Sequence, residues 1–262
     1  MKIFAISDVH GEYDAMINSL KNAGFDENNE NHLLISLGDA FDRGEDSVKV
    51  YEYLKKLSDN GKAIVLKGNH TKFFIEYLDG TSISPFNWRC NGTNKTLDDF
   101  SHRTSAFQSW CILEDKEPTY DNFVNWLKIT RNEINQEYPE LLPWLKERPY
   151  YFETQNYIFT HGAVDTKVDD WHKPHCYRYN LIDWDALSFD DGSFFGNEIG
   201  NTDKIVVIGH FHTRALREKY NIDDKKDKDD ILIRDDKKIV AIDTCTNLTK
   251  RVNVFVIDDK ID

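Results

Sequence analysis

The sequence predicts an α/β (α+β) protein, built as a two-sheet β-sandwich flanked by helices and interrupted by a helical cap insertion. Three observations lead to this fold class. Apolar runs alternate with amphipathic stretches over residues 2–68, strand-like runs return after residue 150, and an aromatic, charged segment separates the two regions. At 262 residues, we expect a single domain over 1–262, with the insertion at approximately 79–150.

The first region alternates strand and helix. Strands are predicted over 2–7, 33–36 and 62–68, and helices over 12–23 and 45–59. The first helix carries Tyr13, Met16 and Leu20 on one face and ends at Gly24. This alternation indicates an α/β sheet with right-handed crossovers.

The central segment differs in composition, because it is rich in aromatic and charged residues. Helical periodicity is clear over 120–147, with Pro139, Pro143 and Pro149 as interruptions. We expect it to form a cap that overhangs the site, and the alternative is a helical layer that only covers one face of a sheet.

Strand character resumes over 150–160, 205–209, 231–242 and 251–258. The segments YYFETQNYIFTHG and IVAIDTCTNLTKRVNVFVID are predicted to be antiparallel hairpins that form the second sheet. The charged run 223–230 between two strands is predicted to be a solvated loop.

The composition excludes some functions. With 33 basic and 46 acidic residues, the formal charge of −13 argues against extended nucleic-acid binding and against anionic membranes. The apolar stretch IFAI near the N-terminus is too short for a signal peptide or a spanning helix, so we expect a cytoplasmic protein. The four cysteines have no CxxC spacing and are expected to be reduced. We expect a monomer.

Five short polar clusters follow apolar runs: SDVHG, GDAFDRG, KGNH, THGA and GHFHT. Because the carboxyl ends of strands converge on one edge of a sheet, donors far apart in sequence can meet there. The candidate metal ligands are Asp8, His10, Asp39, Asn69, His161, His210 and His212. Such donors suit Mn, Fe, Zn or Ni, so we predict a pair of divalent ions.

Each cluster alone has a simpler interpretation. DxH can be incidental at a strand end, GDAFDRG can be a capping turn, GNH can be a helix N-cap with an exposed imidazole, and His161 can be a core histidine. Asp8 and His10 are two residues apart, as are His210 and His212, and in extended backbone each pair would point the same way. The five clusters in this order favour one shared site.

Three further side chains suggest phosphate chemistry. Asp39 is placed to bridge two ions, and Arg43 offers a bidentate guanidinium to a phosphoryl group. His70 follows Asn69 and points elsewhere, so it is free to protonate a leaving alkoxide, while Asp42 could accept its other ring N–H.

These motifs resemble the calcineurin-like metallophosphoesterase superfamily, whose pattern is DxH, GDxxDR, GNH, H and GHxH. GDAFDRG, WRCNGTNKTLDDF and IVAIDTCTN are similar to the phosphoprotein phosphatase branch, in particular its bacterial and phage enzymes. The resemblance assigns Asp8, His10 and Asp39 to a first ion, and Asp39, Asn69, His161 and His210 to a second. His212 is the second histidine of GHxH and would complete the first ion's shell.

The same resemblance shows three departures. Lys67 and Thr71 stand where the family has arginine before GNH and glutamate after it, and NGT replaces NGG. A second phosphate-binding arginine is missing from DWDALSF, and Arg178 could substitute for it. Arg43, Lys67 and Arg178 are therefore the candidate substrate contacts.

The resemblance implies a manganese-type serine/threonine protein phosphatase that hydrolyses phosphomonoesters by direct attack of a metal-bridging hydroxide. The alternative is a diadenosine tetraphosphate hydrolase or another phosphodiesterase acting on nucleotides or RNA ends. The aromatic residues Phe86, Trp88, Trp110, Trp171 and Trp184 could stack on bases or could only pack the insertion. A third possibility is a metal-stabilised binding scaffold, but a scaffold would need no proton donor.

Overall fold

The computed structural model describes residues 1–82, 84–101, 107–162, 202–234 and 238–261. The strands in this part of the chain are β1 (Lys2–Ile6), β2 (His32–Ser36), β3 (Ala63–Val65), β4 (Tyr151–Glu153), β5 (Tyr157–Thr160), β6 (Ile205–Ile208), β7 (Leu232–Arg234), β8 (Ile239–Ala241) and β9 (Phe255–Asp258). The helices are α1 (Tyr13–Ala23), α2 (Ser47–Asp59), α3 (Asn69–Asp79), α4 (Pro85–Cys90), α5 (Thr93–Phe100), α6 (Phe107–Leu113), α7 (Tyr120–Glu137), α8 (Leu141–Glu147), α9 (Thr213–Tyr220) and α10 (Thr246–Thr249).

The strands form two sheets, with the orders β3-β2-β1-β9 and β4-β5-β6-β8-β7. Neighbours β1 and β2, β2 and β3, β5 and β6, and β6 and β8 are parallel, whereas the outer pairings to β9, β4 and β7 are antiparallel. The parallel strands of each sheet therefore end at a common edge, and the clusters that follow them lie there.

The two sheets pack face to face. Alternate residues of the strands, such as Ile35, Phe159 and Val207, form the apolar layer between them and are fully buried. On the outer side of the first sheet, Phe4 and Leu34 pack against the helices that precede β4, and on the outer side of the second sheet, α9 supplies Leu216. The predicted two-sheet sandwich with flanking helices is confirmed.

One strand pairing differs from the prediction. The segment IVAIDTCTNLTKRVNVFVID was predicted to be a hairpin of the second sheet, and that prediction was wrong. β8 belongs to the second sheet, but β9 pairs antiparallel with β1 in the first, with Phe4 opposite Val256. The short helix α10 separates the two strands, so the chain crosses from one sheet to the other there.

Two predicted elements are shorter than expected. The strand predicted over 62–68 ends at Val65, because α3 begins at Asn69 and Gly68 is its N-cap. The helix predicted over 120–147 is divided into α7 and α8. The break occurs at Tyr138, which precedes Pro139, and a residue before proline disfavours helical backbone.

Most of the insertion packs as a helical layer on the first sheet, where α5 contacts α2, and α7 and α8 contact α3. Trp88 and Trp110 pack in the apolar core between these helices and the first sheet, which supports packing rather than base stacking for both. Phe86 is 48% exposed and borders the site cavity described below. Trp171 and Trp184 lie outside the described residues.

Within the described ranges, every helix is too short or too polar to span a bilayer.

The charged loop before β7 is organised by a buried arginine on α9. The Arg217 guanidinium donates to both carboxylate oxygens of Asp224 and to the carbonyl oxygens of Lys228, Asp230 and Ile231. Its side chain is only 4% exposed. One cation therefore satisfies several acceptors of a segment that has no regular secondary structure.

Replacing Arg217 with Ala should lower the free energy of unfolding by about 2–4 kcal/mol, because several acceptors lose a charged donor at once. Urea titration would measure the change. Lys228→Ala is a suitable control because the Lys228 ammonium pairs with Glu218 at 3.1 Å in an exposed position, and its loss should cost no more than about 0.5 kcal/mol. Equal effects of the two substitutions would contradict the organising role of Arg217.

Candidate metal centre

The polar clusters meet at the carboxyl ends of the parallel strands. Asp8 and His10 follow β1, Asp39 follows β2, and Asn69 follows β3, all from the first sheet. From the second sheet, His161 follows β5 and His210 follows β6. These side chains are buried, and exposed fractions range from 0% for His161 to 6% for His210. The first sheet thus contributes four of these donors and the second sheet two, and all six meet in one place.

The backbone at these positions is not extended. The φ angle is 53° at Asp8, 49° at His10 and 58° at His210, so all three residues are in the left-handed region. Asp39 and Asp42 also have positive φ, 48° and 71°. The expectation of extended backbone at Asp8 and His10 was wrong, but the two side chains still converge, with His10 Nε2 3.8 Å from Asp8 Oδ1. Turns in this conformation aim the side chains, and such strained residues commonly cluster at functional sites.

Asp39 is at the centre of the cluster. Ligand-capable atoms of His10, Asp39 and His70 lie within 4.8 Å of one another, and so do those of Asp39, His161 and His210. Asp39 belongs to both groups. A carboxylate shared by two groups of nitrogen donors is the arrangement expected for two neighbouring divalent cations.

Asn69 links the histidines of the second group. Its Oδ1 lies 3.0 Å from His161 Nε2 and 3.1 Å from His210 Nδ1. Asp39 Oδ2 lies 3.2 Å from the same His161 nitrogen. The amide oxygen, the carboxylate and the two imidazoles thus surround a common point.

Two histidines are held in a tautomer that suits metal binding. The Nδ1–H of His10 donates to the Phe41 carbonyl at 2.8 Å, and the Nδ1–H of His161 donates to the Leu37 carbonyl at 3.0 Å. With Nδ1–H held by these carbonyls, Nε2 of each ring is directed into the site, and on His161 a metal ion would displace the proton that the neighbouring carboxylates favour. The Nε2 atoms of both residues face the donor groups described above.

Burial and charge set the protonation of the centre. Burial, with the nearby Arg43 cation, pushes the pKa of His10 well below its usual value, and burial with His161 does the same to the pKa of His210. Burial alone would lower the pKa of His161, but the Asp39 and Asp8 carboxylates outweigh it and raise that pKa to about 9. Burial would raise the pKa of Asp39, but His161 and His70 hold it well below its usual range.

Asp243 is an acidic residue of the centre that the sequence analysis did not select. It follows β8, the third parallel strand of the second sheet, and it is 1% exposed. Burial raises the pKa of Asp243 well above its usual value, and the Asp8 carboxylate adds to the effect. Burial also raises the pKa of Asp8. Two buried carboxylates with raised pKa values mark a place that favours cations, so the donor set fits divalent metal ions. Asp243 follows the apolar run IVAI, which was a usable signal.

His70 lies next to the donor groups and is 2% exposed, in contrast to the exposed imidazole of a simple N-cap. Its Nδ1 lies 2.7 Å from Asp42 Oδ2, and its backbone N–H donates to Asp39 Oδ1 at 3.0 Å. The Arg43 guanidinium donates to His70 Nε2 at 3.2 Å and to His10 Nε2 at 3.0 Å. The structure therefore brings His70, Asp42 and Arg43 together.

The other predicted residues are placed differently. His212 is the N-cap of α9 and borders the cavity, with its Nε2 3.7 Å from Asp243 Oδ2, and burial lowers the pKa of His212 to about 4. It is not in either of the two donor groups. Lys67 does not line the cavity, because its ammonium donates to the Lys146 carbonyl and lies over the Tyr150 ring. Arg178 lies outside the described residues.

The centre opens into a cavity of about 520 Å³. Phe86 near the start of α4, with Cys90 and Asn91 at its end, forms one wall, so this part of the insertion borders the site. Asn247 and Leu248 of α10 contribute to the lining as well. Cys245, the N-cap of α10, also lines the cavity, and the remaining lining residues are those of the cluster itself.

Gly68 is needed for close approach to Asp39. A Cβ at this position would lie 2.0 Å from Asp39 Oδ1 and 2.9 Å from the Asp39 backbone nitrogen. Gly68→Ala should therefore displace Asp39, destabilise the fold by about 1–3 kcal/mol and reduce metal content, measured by elemental analysis after desalting. Gly61→Ala is the control, because its Cβ would meet nothing within 4 Å and only left-handed backbone strain is added. Retention of metal in Gly68→Ala would contradict this account.

The family profile for calcineurin-like phosphoesterases matches residues 1–240. The chain belongs to the calcineurin-like phosphoesterase family. This match includes all five polar clusters and the strands that carry them.

This calcineurin-like phosphoesterase has relatives of two kinds. It is 30% identical to an asymmetrical bis(5'-nucleosyl)-tetraphosphatase of Bacillus velezensis, over 44% of this chain and 49% of the relative. It is 27% identical to Shewanella-like protein phosphatase 1 of Plasmodium berghei, over 64% of this chain and 40% of the relative. It is 23% identical to serine/threonine-protein phosphatase 2 of Salmonella typhimurium, over 79% of this chain and 78% of the relative. The chain spans about half the length of the first of these relatives.

Solved structures show the same fold. The chain matches a candidate diadenosine tetraphosphatase with a TM-score of 0.55 and 14% identity, over 98% of this calcineurin-like phosphoesterase and 89% of that chain. A cold-active protein-tyrosine phosphatase of a Shewanella species matches with a TM-score of 0.51 and 18% identity, over 98% of this chain and 75% of that chain. At this identity the likeness concerns the fold alone.

Proposed function

We propose that this protein is a metal-dependent phosphoester hydrolase, and that its substrate is a phosphomonoester such as phosphoserine or phosphothreonine of a protein. The observation that carries the proposal is the contact between His70 and Asp42, next to Arg43 and beside the two donor groups. A binding scaffold would need the metal ligands, but it would need neither a proton donor nor a guanidinium directed at the same place.

The ion-binding roles combine the two donor groups with the ligand set that the family resemblance implies. Asp8, His10 and Asp39 would hold one divalent ion, and Asp39, Asn69, His161 and His210 would hold the other. Asp243 interacts with Asp8 and lies 3.7 Å from His212, so these two residues would support the first ion. When bound, such a pair of ions supplies Lewis-acid charge for the phosphoryl oxygens and lowers the pKa of water. We propose manganese as the native ion, in keeping with the mixed oxygen and nitrogen donors.

The remaining roles belong to the protein's own side chains. Arg43 would move from the two imidazoles to the phosphoryl oxygens, where a planar guanidinium can form two parallel hydrogen bonds. His70 would donate the Nε2 proton to the leaving oxygen, and Asp42 would hold the opposite ring nitrogen. Burial of the site keeps these charges strong by limiting competition from water.

A dinucleoside polyphosphate is the second candidate substrate. It is favoured by the relative from Bacillus velezensis, which is a bis(5'-nucleosyl)-tetraphosphatase. The relatives from Plasmodium berghei and Salmonella typhimurium are protein phosphatases and favour the first. In the described cavity wall, Phe86 is the aromatic side chain available to a base.

The two candidates are separated by a panel of substrates. Protein reconstituted with manganese would be given a phosphoserine peptide, a diadenosine tetraphosphate and a bis-aryl phosphate diester. Preferred hydrolysis of the peptide supports the first proposal, and preferred hydrolysis of the tetraphosphate supports the second. No hydrolysis of any substrate by protein containing two bound ions would contradict both.

A further inference from the structure

The helix α5 carries two buried hydroxyl groups on its core-facing side. Thr93 is 5% exposed and Thr96 is 0% exposed, and they share that face with the apolar Leu97 and Phe100. Positions three and four residues apart on a buried helix face are normally apolar. Two threonines in this pattern therefore need polar partners, and both find the same one.

That partner is Asp42. The Thr96 hydroxyl donates to Asp42 Oδ1 at 2.8 Å, and the Thr93 hydroxyl donates to Asp42 Oδ2 at 3.0 Å. The backbone N–H of Asp42 in turn donates to Thr96 Oγ1, also at 2.8 Å. Since that N–H occupies an acceptor position of the hydroxyl, the Thr96 proton is directed to the carboxylate. Asp42 is fully buried, and these contacts leave it little rotational freedom.

Asp42 transmits this orientation to His70. The Arg43 guanidinium can only donate, so His70 Nε2 is an acceptor and the ring proton is on Nδ1, 2.7 Å from Asp42 Oδ2. This is the form of the ring that remains after Nε2 has given up a proton. The chain of contacts from α5 thus ends at the nitrogen that faces the site.

The helix itself is docked tightly on this segment. Gly92, its N-cap, has a φ of 84°, and its carbonyl accepts from the Arg43 backbone N–H at 3.3 Å. A Cβ on Gly92 would lie 2.5 Å from that nitrogen. On the next turns, Asp99 accepts from the Val48 N–H at the start of α2 at 2.7 Å. The position of α5 relative to Asp42 is therefore fixed at two points.

We propose that Thr93 and Thr96 are positioning residues, which hold Asp42, and through it His70, in the orientation needed to protonate a poor leaving group. The inference rests on the proposed function, in which His70 is the proton donor. As an oxygen from water bonds to phosphorus, the bond from phosphorus to the leaving oxygen breaks, and its electron pair goes to that oxygen, which takes the proton from His70 Nε2. The neutral ring keeps its proton on Nδ1, which donates to Asp42 Oδ2 as in the structure. The inserted helix α5 would thus take part in catalysis without touching the substrate.

The test compares leaving groups. Thr96→Val keeps the shape of the side chain and removes the hydroxyl, and Thr93→Val removes one contact while leaving the Asp42 N–H paired. A serine phosphate ester requires protonation of its leaving oxygen, whereas dinitrophenyl phosphate hardly does. For Thr96→Val we expect kcat to fall about 10- to 100-fold with a phosphoserine peptide and less than about threefold with dinitrophenyl phosphate. KM and metal content should not change, and Thr96→Ser should restore most of the loss.

Thr130→Val is the matched control. Thr130 is 0% exposed, and its hydroxyl donates to the Trp126 carbonyl within α7 at 3.0 Å. It should show any general cost of a buried threonine-to-valine change without selectivity between leaving groups. Equal losses with both substrates in the Thr93 and Thr96 variants, or no loss, would overturn the inference.

A second measurement does not depend on turnover. Long-range proton–nitrogen NMR correlation of the His70 ring, in protein loaded with a diamagnetic ion, should show the Nδ1–H form in the wild type and a mixture in Thr96→Val. An unchanged ring in both threonine variants would count against the inference.

His70→Asn separates the proton-donor role of His70 from the positioning role of the two threonines. If it lacks leaving-group selectivity, the proton-donor role fails and the inference with it, whereas selectivity in His70→Asn but not in the threonine variants overturns the inference alone.

Discussion

Replacing Asp39 with Asn should strip the protein of bound metal. Asp39 is a member of both donor groups, it is 1% exposed, and the substitution removes one negative charge and one strong donor from each group at almost constant volume. We expect metal affinity to fall by about 100-fold or more, since loss of a partner behind a ligand already costs about 10- to 100-fold. Elemental analysis and metal titration by calorimetry would measure the change. Activity should fall with metal content.

Asp259→Asn is the control for this experiment. The Asp259 carboxylate is also buried and accepts from the Thr154 hydroxyl and from the backbone and side chain of Asn156, at the opposite end of β5 from His161. Its loss should lower stability and leave metal content intact. Normal metal content together with normal activity in Asp39→Asn would refute the bridging role.

Replacing His70 with Asn should have the opposite effect. Turnover should decrease about 10²- to 10⁴-fold, the usual contribution of a positioned acid, whereas both ions should remain bound. The structure makes this a real test, because the ligand-capable atoms of His70, His10 and Asp39 lie within 4.8 Å of one another, so His70 has the geometry of a ligand as well. Parallel measurement of kcat and metal content distinguishes the two roles.

His32→Asn serves as the comparison, because His32 begins β2 and accepts a hydrogen bond from the Asp26 backbone outside the site. It should retain both turnover and metal. Loss of one ion in His70→Asn, in proportion to the loss of activity, would instead make His70 a ligand.

Local patterns were enough to predict most strands and helices. The apolar runs before each cluster and the helix ending at Gly24 follow from side-chain periodicity, which acts over a few residues. The pairing of β9 with β1 could not be predicted in this way, because Phe4 and Val256 are neighbours through tertiary packing and no turn sequence connects their strands. Long-range choices of this kind depend on which sheet edge is open.

The residues of the site also separate into those that local sequence predicts and those that depend on tertiary structure. The donors Asp39, Asn69 and His161 were predictable because each follows a strand, and strand ends converge. The left-handed backbone at Asp8 and His10 was not, since aspartate and histidine do not require it. Lys67 was selected as a substrate contact for its place before Gly68, but in the structure its side chain is directed to α8. Asp243 and the two threonines of α5 were missed for different reasons. Asp243 is a single polar residue after its strand, without a second donor nearby in the sequence. The two threonines contact only Asp42, which itself acts through His70.

The division of donors between the two sheets has a consequence for biosynthesis. Asp8, Asp39 and Asn69 are translated early, but His161 and His210 follow about ninety residues or more after Asn69 in the sequence. A nascent chain therefore lacks the second half of the cluster until the strand β6 has left the ribosome. Until then the early carboxylates have no complete set of partners, so metal acquisition should be among the last events in maturation.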